Sequence, residues 1–232
     1  MSTDESAKST ESERLRRKIE LLLPEPAAAG RRLFTHPRIE DLYSEYLFTF
    51  HCVVRASVPL MEAALRRSRS MAATDSVAAR VAEYLEGHIP EEQQHDEWLL
   101  DDLQVLGISR STVLPRLPSA TVAALVGSQY YWIFHYHPVA LLGYVELLEG
   151  YPPSTAEIED LIMRTGHRRE AFRTLIHHAR LDPDHGDELN RTLNELPLTV
   201  EQSAAVGLSA MNSVHLLARA IEEIVDEAAS VA

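Results

Sequence analysis

Apolar residues recur at intervals of three and four along almost the whole chain, and that period admits few folds. Across residues 38–71, Leu42, Tyr46, Phe50, Val53, Val54, Val58, Met61 and Leu65 fall on one helical face. Period-two alternation bounded by turn residues, which a half-buried sheet would need, is hard to find. An all-α fold is therefore expected. A short amphipathic helix is expected over 14–23, stopped by Pro24-Glu25-Pro26. Long helices follow over 38–71 and 74–106, the second kinked at Pro90. Further helices fall over 119–136, 138–150, 154–165, 168–182 and 199–227, with Pro183 disfavouring helical backbone at Asp182. Residues 1–11 are too polar to offset their ordering entropy, so they read as a disordered tail before one helical domain over 12–232.

The composition narrows the partners. A formal net charge of -13 opposes nucleic acid and anionic membranes, both of which the summed field would repel. Cys52 stands alone, which excludes an intramolecular disulfide and fits a reducing compartment. No apolar run precedes a cleavage site near the N-terminus, and no stretch reads as the ~18 apolar residues of a membrane span. The expectation is a cytoplasmic protein acting on a small molecule, without nucleic acid or membrane, and compatible with a homodimer.

The chemistry concentrates in a few spacings. His178, Asp182 and His185 stand at i, i+4 and i+7, so two imidazoles and a carboxylate share one helical stripe. Glu92 and His95 form Glu-x-x-His, an arrangement that helix bundles use to turn a carboxylate and an imidazole inward together. His88 precedes His95 by seven residues, on nearly the same stripe. Glu146 has Leu142, Gly143 and Leu147 for neighbours, a setting in which a carboxylate must be paired, protonated or bound to a cation, whereas Glu149 is expected near the exposed end of the helix. Glu62 is a further candidate on the first long helix. Glu92, His95, Glu146, His178, Asp182 and His185 together offer three carboxylates and three imidazoles, a mixed N/O set suited to iron or manganese rather than to structural zinc.

Three runs carry a resemblance. They are His88-x-x-Glu91-Glu92-x-x-His95-x-x-Trp98-x-x-x-Asp102-Leu103, then Pro138 through Gly150, then His178-x-x-x-Asp182-x-x-His185. In that order, over roughly residues 40 to 225, they resemble the haem-oxygenase-like diiron oxidases, which are catalogued as iron-containing redox enzymes. The resemblance implies a single-domain, seven-helix haem-oxygenase-like bundle without haem. It also implies two Fe(II) ions per chain, with dioxygen as cosubstrate and a small amine- or carboxylate-bearing metabolite as substrate. His95, Glu146, His178, Asp182 and His185 match ligand positions of the family, while the remaining carboxylate position falls on Glu92 or His88, with Glu62 for the first long helix.

Three rivals stand beside that reading, of which a haem-degrading enzyme would use one axial histidine and leave the rest of the six-residue set unexplained. A metal-free hydrolase of the thiaminase II type would need a nucleophilic thiol, and only Cys52 is available, on an apolar helix near Arg55. A non-catalytic helical binding protein would leave Glu146 and His178 exposed.

Overall fold

A computed structural model describes residues 9–230, apart from the side chains of 181–185 and 230. The chain opens with α1 (Glu11–Glu20), where the Thr10 hydroxyl accepts from the Glu13 N–H and the Glu13 carboxylate accepts from the Thr10 N–H. Pro24, expected to stop a helix, instead begins α2 (Pro24–Phe34), because a first-turn residue needs no N–H donor.

The two longest expected helices are each divided. The first becomes α3 (Ile39–Val54) and α4 (Ser57–Met71), since Pro59 has no N–H to give the Arg55 carbonyl. The second becomes α5 (Ser76–Glu92) and α6 (His95–Val105). Helix α5 runs through Pro90, where the kink was expected, and breaks three residues later. Gln93 is extended and Gln94 is left-handed, with φ of 74°.

A single-turn helix, α7 (Arg110–Val113), leads to α8 (Ala120–His135), which starts on the Ser119 hydroxyl. A 3-10 turn over Pro138–Ala140 enters α9 (Leu141–Glu149), followed by α10 (Thr155–Thr165). Helix α11 (Arg173–Glu195) continues through Pro183 instead of ending beside it, and α12 (Val200–Ser230) closes the described chain. The described residues contain no strand, and eleven of their helices exceed one turn, where seven were expected. The two breaks and the proline-started α2 account for much of the difference.

Helix α12 is the hub, packing on α1, α2, α3, α8 and α9. At Gly143 the backbones of α9 and α12 nearly touch. A Cβ there would stand 2.2 Å from the Val206 carbonyl oxygen and 2.9 Å from the Ala210 nitrogen. By length and hydropathy Val200–Ala229 would suffice to cross a membrane, contrary to the expectation for this chain. Half of that apolar window is buried among the other helices, which accounts for its hydropathy as core.

Candidate metal centre

Four helices bring the candidate ligands together, and the break in α5 sets the geometry. Because Gln94 is left-handed, α6 restarts with His95 as its first residue, so Glu92 and His95 are not successive turns of one helix. They meet across the break, with His95 Nδ1 3.2 Å from Glu92 Oε2. One turn earlier, His88 Nε2 is hydrogen-bonded to Glu149 Oε1 at 2.9 Å. His88, Glu92 and Glu149 each offer one ligand atom, and the three atoms lie within 4.8 Å of one another. The His95 and His178 rings meet edge to face at 5.0 Å between centroids.

Each imidazole has an orienting contact. His88 stacks on Tyr84 at 5.1 Å and His95 on Trp98 at 4.1 Å. His178 Nδ1–H donates to the Thr174 carbonyl at 2.9 Å, which leaves the ring's basic lone pair on Nε2. The Thr174 N–H in turn donates to Asp102 Oδ2 at 2.9 Å, so a fully buried carboxylate of α6 caps the helix that carries His178.

Charge follows the same layout. Burial would lower the His88 pKa, but the hydrogen bond and charge of Glu149, with Glu92 and Glu91 behind, raise it above its ordinary value. Burial would raise Glu92, yet His95, His88 and His178 hold it below the usual carboxylate range. A proton shared by His88 and Glu149 occupies the place that a cation between them would take. Two carboxylates among imidazoles, all little exposed and without a thiolate, fit a borderline-hard ion such as iron or manganese.

The other expected residues are placed as follows. Glu146 is buried but lies outside this group; its Oε1 accepts from Arg16 Nε of α1 at 3.0 Å. Burial pushes its carboxyl up to about 7 against the opposing pull of Arg16. Glu62 is half exposed beside Arg66 on α4, away from the group. The side chains of Asp182 and His185 lie outside the described residues, although the backbone carries them on the same helix as His178. Glu149 is the ligand candidate that the sequence reading passed over. Nearly every residue of α9 is buried, so it has no solvent side to which its last acid could turn. That all-round apolar pattern was the available signal.

Two voids adjoin the group. One of about 30 Å³ is walled by Glu92, Glu149 and His178 together with Phe50, Val54, Met61, Val145 and Leu148. The other, of about 590 Å³, shares Phe50, Leu148 and His178 with the first and extends past Tyr46, Tyr151 and Leu217 to Arg31 and Arg164.

A family model described as iron-containing redox enzyme matches residues 44–218. Among solved structures, a domain of unknown function with a haem oxygenase-like fold from Shewanella denitrificans superposes with a TM-score of 0.79 at 19% identity, covering 93% of this chain and 92% of its own. A CADD-like protein of unknown function from Nostoc punctiforme gives 0.67 at 14% identity, covering 92% and 98%. A TenA homologue from Pseudomonas syringae gives 0.62 at 13%, covering 89% and 92%. No curated protein matches the chain. The fold is thus haem oxygenase-like, and identities this low speak to the fold alone.

Proposed function

The chain belongs to the iron-containing redox enzyme family, and from that premise we propose that it is a non-haem diiron oxygenase or oxidase acting on a small amine- or carboxylate-bearing metabolite. The observation that carries the reading is the convergence of His88, Glu92 and Glu149 within 4.8 Å, with His95 Nδ1 3.2 Å from Glu92 Oε2. His88, Glu92, His95, Glu149 and His178 would hold the metal, and Asp182 and His185 extend the same stripe of α11 in sequence. Bound there, two ferrous ions would supply the electrons that dioxygen takes up.

The protein's own residues do the rest. Thr174 fixes the His178 tautomer so that Nε2 keeps its lone pair, and Asp102 anchors the turn from which Thr174 acts. The smaller void is walled on one side by Phe50, Val54, Met61, Val145 and Leu148 and on the other by Glu92, Glu149 and His178, so it opens directly onto the candidate ligands. The larger void is of a size to take an organic substrate and reaches the group through Phe50, Leu148 and His178. Arg31 on its wall makes no side-chain hydrogen bond or ion pair among the described residues, so its guanidinium is available to a substrate carboxylate. Arg164, Arg168 and Arg169 are engaged by Asp160, Glu170 and Glu159, and Arg173 lies near Asp101 and Asp102.

A thiaminase-like hydrolase is less well supported. Cys52 is buried in α3, and burial raises its thiol above the ordinary range, which suppresses the thiolate.

The test is anaerobic Fe(II) titration of the full chain with iron counted per chain, followed by dioxygen uptake. Wild type should bind close to two ions and consume dioxygen, and a Glu92→Ala, Glu149→Ala double variant should do neither. Equal iron in both proteins would end the metal reading.

A further inference from the structure

The chain carries no Asp, Glu, Lys or Arg between Arg116 and Glu146, although its formal net charge is -13. Helix α8 occupies most of that interval. Its exposed positions are Ala120, Ala123, Ala124, Gly127, Tyr131, Phe134 and His135, a stripe that follows the helix along its length. Tyr131 is 60% exposed and Phe134 52%, too much bare aromatic surface for a helix whose other face already fills the core through Val122, Leu125, Gln129 and Ile133. The rings are also ordered among themselves: Tyr130 and Phe134 stack at 6.2 Å, and Tyr131 meets His135 at 5.1 Å. Ordered rings lose little freedom when covered.

The stripe is graded. Its first half is small, its second half is bulky, and Gly127 stands between them with nothing within 4 Å of where a Cβ would be. We propose that this face of α8 is the self-complementary interface of a homodimer, with a second copy packed antiparallel across a two-fold axis at Gly127. In that register Tyr131 lies over the partner's Ala123 and Phe134 over the partner's Ala120, so the large half of each helix covers the small half of the other, as a two-fold contact requires. Charge selects the occupant. Two copies at -13 repel wherever their acids face each other, and a helix without a charged side chain lets them approach in contact. Glu223 of α12, which accepts a hydrogen bond from Thr121, stands at the flank of the stripe rather than on it. The interface contributes no residue to the metal group, so its failure and that of the diiron reading are separate results.

Sedimentation velocity of the full chain should give a species of twice 26.0 kDa at micromolar concentration. Gly127→Glu and Phe134→Glu should each weaken the dimer at least tenfold with unchanged helical content, because Gly127 has open space around it and Phe134 is half exposed in the single chain. Oxidation of an Ala123→Cys, Tyr131→Cys double variant should give a covalent dimer, and neither single variant should, since like positions lie apart in an antiparallel pair. A wild-type monomer overturns the proposal, including one that instead binds lipid vesicles through this face. So do dimers of undiminished affinity in both glutamate variants, or covalent dimers from a single cysteine, which would mean another face or a parallel pair.

Discussion

Gln94 and Glu149 decide the centre between them. A left-handed residue other than glycine costs roughly 1–2 kcal/mol, and Gln94 holds that conformation where α5 hands over to α6. Gln94→Gly removes this cost while adding about 0.4–1 kcal/mol of unfolded-chain entropy. The net outcome is a gain in stability of about 0.8 kcal/mol, the difference of the two central values, to be read from urea unfolding with the slope unchanged. Glu149 bonds to His88, whereas Glu146, a turn earlier on α9, is given to Arg16. Glu149→Ala should therefore weaken Fe(II) binding by more than the roughly 10–100-fold that follows loss of a residue merely supporting a ligand. Glu146→Ala should weaken it less. Calorimetry under anaerobic conditions checks the ranking, and the reverse order would return Glu146 to the ligand set.

At the scale of elements, two contacts between helices position the segments that carry the candidate ligands. Asp102 of α6 caps α11 through the Thr174 N–H, and the Thr174 carbonyl orients His178. Asp102→Ala should destabilise the fold by about 0.5–2 kcal/mol, the usual range for a lost cap. It should also lower iron affinity about 10–100-fold through loss of orientation at His178. A structural role alone would move the unfolding midpoint and leave the iron titration of the folded protein unchanged. Gly143 lets α9 lie against the backbone of α12. Gly143→Ala should cost about 1–3 kcal/mol, as overpacking does, because the obstacle is backbone and cannot swing aside. Thermal denaturation would read it directly.

For the molecule as a whole, stability in acid depends on contacts between distant segments. Asp75 caps α5 and pairs with His137, whose Nδ1 accepts from the Val139 N–H just before α9. Burial pushes the Asp75 carboxyl up, but the Ala78 N–H and His137 outweigh it and hold the group below its ordinary 3.8. A folded-state pKa lower than the unfolded one makes the carboxylate a source of stability above about pH 4, lost as pH falls through the depressed value. Asp75→Asn should leave the cap in place and flatten the acid limb of a stability-against-pH curve. An unaltered limb would assign acid sensitivity to other carboxylates.

The period of three and four fixed the all-helical fold, because an apolar stripe can be buried in only a few ways. The Glu-x-x-His spacing named Glu92 and His95, but on one continuous helix; the break at Gln93–Gln94 is what brings them together, and of the stripe His178, Asp182 and His185 only the His178 side chain lies among the described residues. Other features depended on contacts far apart in sequence. Whether Pro90 or Gln93–Gln94 would break α5 turned on tertiary packing, since a helix absorbs one lost backbone bond when its neighbours hold it straight. Whether Glu146 or Glu149 would meet His88 turned on the rotation of α9 against α5 and on Arg16 arriving from the first helix. A buried carboxylate must find a counterpart, and local sequence states that need; only the packing of remote helices determines which counterpart is within reach.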